Sequence, residues 1–155
     1  MADMKLEDGI REIVDRDPRF NAQAYFFIFE ALEYTLSRMD TRRHVSGKEL
    51  LGGIREYALE SFGYLTRTVL YEWGITCTED IGALVFNLVS AKLLMKNDAD
   101  SMADFRNGFD FEEAFDEGFR REIEALAERT RQRTGIERTP TGWRIAHPER
   151  VEDMA

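Results

Sequence analysis

"TCTEDIGALVFNLVSAKLL", Thr76 to Leu94, follows "LTRTVLYEWGI", Leu65 to Ile75, across a tight break at Gly74. In the later stretch Ile81, Leu84, Val85 and Leu88 recur at helical spacing on one side, and Phe86, Val89 and Leu93 on another. Two apolar sides mark a central helix. A short helix, a break and a second helix is the element order of a helix-turn-helix. A reading helix, however, must offer Arg, Lys, Asn or Gln to base edges. Between Thr76 and Leu94 the only cation is Lys92 and the only amide is Asn87, while Glu79 and Asp80 stand at the end that would enter the groove. Phosphate is repelled there, so the expectation is a helix-turn-helix-like centre that does not read DNA. The remaining positions Thr78, Gly82, Ala83 and Ser90 are small and neutral, a surface suited to another protein or a second subunit.

Upstream, Leu6, Ile10, Ile13 and Val14 form one face of a helix that Pro18 stops. Asn21 caps the next helix, where the stripe Tyr25, Ile28, Phe29, Leu32, Leu36 is flanked by Phe26, Phe27 and Tyr34. That arc is wider than one contact face requires, so the helix lies centrally in the core or forms a dimer seam. Ser46 and Glu49 have capping-box spacing, with Val45 and Leu50 placed as a hydrophobic staple. Leu50, Ile54, Tyr57, Ala58 and Phe62 then face inward, and Gly52 and Gly53 predict close approach of a neighbouring backbone.

Downstream, residues 95–110 are polar and turn-rich, with Phe105 and Phe109 as anchors. A winged helix would place its β-hairpin here, yet β-branched residues are missing and strand propensity is poor. Asp110 caps a last helix with a stripe Phe111, Phe115, Phe119, Ile123, Leu126, acidic early and arginine-rich late, as the helix dipole favours. Residues 134–155 hold two prolines and no period, which predicts an extended or disordered tail containing Trp143 and Ile145 as a conceivable docking motif. The expected fold class is thus mainly α, with a small β-hairpin at most, as one helical domain over 1–133 plus the tail.

Length and charge bound the function. A chain of 155 residues is long enough to bury a core without disulfides or metal. Its net charge of −9 disfavours phosphate backbones and anionic bilayers and favours basic partners. Cys77 is the only cysteine, so there is neither an internal disulfide nor a thiolate cluster. Neither a secretory leader nor a membrane span is legible, and a cytoplasmic location is expected.

No catalytic constellation emerges. Ser46 beside His44 suggests a nucleophile, but capping already accounts for Ser46, and no carboxylate is placed by local spacing to orient the imidazole. Cys77 reads as a packing residue, since Glu79 and Asp80 oppose a thiolate. Asp98 and Asp100 begin a calcium-loop pattern that fails at Met102, Ala103 and Phe109. Glu30 and Glu33 share a helix face without the Glu-x-x-His pairs of a di-iron bundle. No phosphate-loop, dinucleotide or zinc-hydrolase motif is present, so neither metal nor cofactor is expected.

Three stretches together, "HVSGKELLGGIREYALESFG", "TVLYEWGITCTEDIGALVFNLVSAKLL" and "DFRNGFDFEEAF", are similar to a conserved, uncharacterised family of planctomycete and verrucomicrobial proteins. The likeness spans roughly Asn21 to Phe115 and implies no activity and no site residues. The leading expectation is therefore a non-enzymatic helical interaction module, self-associating or binding a basic partner. Its candidate surface is Phe26, Phe27, Tyr34, Ala83, Phe86, Asn87 and Ser90. The alternative is a degenerate winged-helix regulator touching nucleic acid through Arg38, Arg42, Arg43 and Lys48.

Overall fold

Pro18 ends the first helix because its ring cannot sit in a continuing helical turn. In the computed structural model, which describes residues 2–145 with side chains from Lys5 onward, helix α1 spans Ala2–Arg16. Asn21 then caps α2 (Ala22–Ser37), its side chain accepting from the Gln23 N–H at 2.8 Å. Ser46 and Glu49 close the capping box of α3 (Gly47–Phe62), and Gly63 terminates that helix at φ 55°. The short α4 (Thr66–Glu72) follows a 3-10 turn at Gly63–Leu65, and α5 (Thr78–Ser90) comes next.

The break between α4 and α5 rests on Gly74. Its φ is +91°, and a Cβ there would lie 2.2 Å from the Arg19 carbonyl oxygen. Only glycine lets this turn close onto the α1–α2 connection, where the Asn21 N–H donates to the Trp73 carbonyl at 3.0 Å. Neither Thr76 nor Thr78, the cap-type residues at this turn, caps α5 with its side chain. Cys77 occupies the cap position without a side-chain bond, and Asp80 reaches back to accept from the Thr76 N–H at 2.9 Å and its hydroxyl at 3.0 Å.

α2 and α5 supply the centre of the core, as their two-sided apolar patterns require. Ala24, Tyr25, Ile28 and Ala31 of α2 and Ile81, Leu84 and Leu88 of α5 are buried together with Ile10, Ile13, Leu50, Ile54 and Leu70. α2 lies closest to α3 where Gly53 faces Thr35.

Residues 95–110 form no hairpin. They carry a 3-10 turn, Met102–Phe105, closed by a Ser101/Asp104 capping box. Phe105 is buried, and the Thr78 hydroxyl staples the segment by donating to the Phe105 carbonyl at 2.6 Å and accepting from the Gly108 N–H at 3.0 Å. Burying one aromatic anchor and satisfying three polar groups around a buried threonine stabilises the turn, where strand pairing had no β-branched residues to draw on.

The chain divides into two compact units, Met1–Asp116 and Glu117–Ala155, rather than at the boundary after residue 133 that composition suggests. The expected stripe of the last helix is split accordingly. Phe111 and Phe115 are buried, a π-helical stretch covers Glu112–Glu117, and α6 (Gly118–Thr134) continues with Ile123 and Leu126 exposed. Gly135 terminates α6 in the left-handed conformation.

The stretch read as an extended tail pairs instead. Strands β1 (Ile136–Thr139) and β2 (Gly142–Ile145) form an antiparallel hairpin with Ile136 opposite Ile145 and Glu137 opposite Arg144. Arg144 Nε donates to Glu137 at 2.7 Å, and the Thr139 hydroxyl closes the turn on the Gly142 carbonyl. Residues 146–155, with His147, lie outside the described residues. The observed class is mainly helical with one small hairpin, as expected.

Candidate functional site

The loop from Arg38 to Ser46 leads into the cap of α3, and the fold brings a carboxylate to each of its arginines. Arg42 forms a two-pronged pair with Glu33 at 3.1 Å on both branches, and Arg43 pairs with Glu49 at 3.0 and 2.6 Å. Arg38 lies 3.6 Å from Glu56. These partners hold Glu33 below the usual carboxylate range and, through Arg43 first and the Ser46 N–H second, push Glu49 down to about 2. A guanidinium already chelated by a carboxylate offers little net field to a phosphate, so three of the four residues named for nucleic acid are locally neutralised. Lys48 alone has no such partner among the described residues.

His44 does find a carboxylate, though not a local one. Its Nε2 lies 2.6 Å from Asp100, fifty-six positions away. Burial pushes Asp100 up, but the Asn97 N–H and His44 outweigh it and leave the group below its ordinary value. Ser46 is not recruited: its hydroxyl accepts from the Glu49 N–H at 3.1 Å, and among the described residues no hydrogen bond joins it to His44. The contact reads as a tether between the α3 cap and the 95–110 segment.

The surface named for protein contact is largely consumed within the chain. Thr78 and Gly82 are buried under the Met102–Phe105 turn, with Phe105 packed where a Cβ on Gly82 would sit. Phe86 meets Phe105 edge-on at 6.4 Å, and Ala83 is half-buried beside it. The Asn87 amide donates to Asp17 and to the Tyr25 hydroxyl, both at 3.0 Å. Phe27 is only 3% exposed, because Tyr57, Phe62 and Trp73 enclose it with ring centroids 5.4 to 5.7 Å away. Tyr34 leans on Tyr57, and Phe26 and Ser90 remain exposed.

Asp17 is the electrostatic pivot of this region. Arg19 donates to both its oxygens, at 2.8 and 2.7 Å, and with Asn87 holds its carboxyl well below the usual range. A group whose pKa is depressed by folding contributes stability that is present above its unfolded value and lost as pH falls below it. Asp17→Asn is expected to cost about 1 kcal/mol at pH 7 after solvent screening is allowed for. It should also flatten the loss of stability on acidification below about pH 4. Urea titrations of both proteins across that range check this. Parallel acid limbs would remove the role assigned to Asp17.

An exposed apolar face lies in the second unit. Ile123, Leu126, Ala127 and Thr130 stand at i, i+3, i+4 and i+7 along α6, and Ile136 and Trp143 of the hairpin complete a groove of about 430 Å³. Ile123 is 47% exposed, Leu126 51% and Trp143 65%. The helix stripe is legible in the sequence; the hairpin that lifts Trp143 beside it is not.

Neither a group of potential metal ligands nor a helix long and apolar enough to cross a membrane occurs among the described residues. Comparisons with models of protein families, with curated proteins and with solved structures found no match.

Proposed function

We propose that the chain is a non-enzymatic helical interaction module that self-associates through α6 and its hairpin. The observation that carries this reading is the exposed groove of Ile123, Leu126, Ile136 and Trp143, apolar surface that a solitary soluble unit has no reason to display. A second copy is the occupant that fits the charges. Residues 117–155 hold eight acidic residues and eight arginines, so the net charge of −9 belongs entirely to residues 1–116. On α6 Arg120 and Arg121 come first, the acids Glu122, Glu124 and Glu128 follow, and Arg129, Arg131 and Arg133 close the helix, so its charges balance along its length. Two such near-neutral helices can lie antiparallel across a twofold axis with the apolar stripe between them, without the mutual repulsion that the acidic residues 1–116 would bring.

The full chain is therefore expected to sediment as a dimer at concentrations on the order of 10 µM. Leu126→Asp should render it monomeric with its helical circular dichroism unchanged, because the side chain is exposed. A wild-type chain that stays monomeric throughout that range would sink the proposal. The nucleic-acid reading predicts the opposite dependence, duplex affinity lost on charge reversal at Arg42 and Arg43, and the pairing of those residues with Glu33 and Glu49 weighs against it.

A further inference from the structure

Lys48, Gly52 and Arg55 are spaced by four and three residues, which places them on one face of α3. The fold sets the segment after the Met102–Phe105 turn against that face. Phe105 is anchored in the core, Asn107 takes a left-handed φ of 45°, and Arg106 is exposed between them. Together these residues line a groove of about 490 Å³, within the size range of small-ligand sites.

Three features distinguish the groove. The first is its cations. Apart from Arg16, every other arginine from Lys5 to Asp116 has a carboxylate within 4.0 Å: Arg11, Arg19, Arg38, Arg42, Arg43 and Arg67. Arg55 and Arg106 have none among the described residues, and neither does Lys48, in common with Lys5, Lys92 and Lys96, in a unit that carries the whole negative charge of the protein. Arg55 only lies over the Phe109 ring, 5.8 Å from its centroid. The second is the single lining acid, Asp104, which forms no ion pair with any of the three cations and instead accepts from the Ser101 N–H at 3.2 Å as part of the cap. The third is Gly52. Glycine weakens a helix interior, yet a Cβ here would meet nothing within 4 Å, unlike its neighbour Gly53. The open space lies in the groove.

We infer that this groove binds the phosphoryl or diphosphoryl group of a small molecule, held by Lys48, Arg55 and Arg106 with Gly52 leaving room for it. Guanidinium forks and an ammonium are the donors that phosphate oxygens select, and a concave wall concentrates their field. Phe109 and Leu51 flank the cations and offer apolar contact to the organic part.

Inorganic pyrophosphate titrated calorimetrically into the full chain at fixed ionic strength tests the site. Saturable binding with one equivalent per chain is expected, weakened about tenfold or more by Arg106→Ala and by Lys48→Ala, each an exposed side chain whose loss leaves the fold intact. Gly52→Leu should block binding without lowering the melting temperature, which separates occlusion from unfolding. No saturable heat up to about 10 mM pyrophosphate, or an affinity that the three substitutions leave unchanged, overturns the inference. So does duplex DNA binding to the same residues with a steep salt dependence where pyrophosphate does not bind, which would assign the cations to a nucleic-acid backbone.

Discussion

Gly53→Ala is expected to destabilise the protein by about 3 kcal/mol and lower its melting temperature by about 10 °C. The added Cβ would lie 1.8 Å from Thr35 Oγ1, 3.0 Å from Thr35 Cβ and 3.3 Å from its Cγ2. Rotating Thr35 does not fully relieve this, because rotation leaves its Cβ at 3.0 Å and its hydroxyl is tied to the Ala31 carbonyl at 2.7 Å. α2 and α3 must therefore separate, and Tyr25, Ile28, Leu50 and Ile54 lose contact along that seam. The neighbouring Gly52→Ala has the opposite sign. Its Cβ meets nothing, so the substitution recovers helix propensity and raises stability by up to about 1 kcal/mol. A coupling test isolates the cause. In a Thr35→Ala background Gly53→Ala should cost clearly less than in wild type, since the nearest clashing atom is gone. Thermal melts of the four proteins check this, and equal costs in both backgrounds would show that the contact is not what Gly53 preserves.

The Gly52-Gly53 pair also shows where sequence reading stops. Helix periodicity says that two glycines inside a helix need a reason, and close approach is the ordinary one. It holds at Gly53 and fails at Gly52, and nothing in the local sequence distinguishes them; the answer depends on which face turns toward α2. Local signals survived folding well. The Asn21 cap, the Ser46/Glu49 box and the break at Gly74 are each legible locally, and each forms. Pairings across the chain were invisible: Asp100 with His44, Thr78 with Phe105 and Gly108, and the meeting of Arg106 with Lys48 and Arg55. The 136–145 hairpin escaped for a different reason. Its strands are four residues long and charge-rich, and the Thr-Pro-Thr-Gly turn that joins them is short enough to pass for tail composition.

Phe27→Ala is expected to cost about 3 to 5 kcal/mol, the range for truncating a large buried aromatic. The sequence presents Phe26 and Phe27 alike, as surplus apolar residues beside the main stripe of α2, and on that basis both belong to a contact surface. The structure parts them. Phe27 sits at the centre of an aromatic cluster, 5.4 Å from Tyr57 and Trp73 and 5.7 Å from Phe62, whereas Phe26 is 38% exposed. The cluster joins three helices, since Phe27 comes from α2, Tyr57 and Phe62 from α3, and Trp73 from the end of α4. Its polar edges are satisfied, with the Tyr57 hydroxyl donating to Glu30 at 2.9 Å and Trp73 Nε1 donating to Gln23 at 3.2 Å. Removing the central ring leaves a void that these bonded neighbours cannot collapse into without giving up a partner, which places the cost in the upper part of the range. Phe26→Ala should cost under about 1 kcal/mol. Chemical denaturation resolves the difference, and sedimentation assigns the roles. If Phe27→Ala left stability nearly intact while dispersing a dimer, Phe27 would be a contact residue and α2 the seam between copies. If stability collapses while Phe26→Ala leaves self-association unaltered, the wide apolar arc of α2 is accounted for within one chain, and the partner-facing surface must lie elsewhere, on α6 and its hairpin.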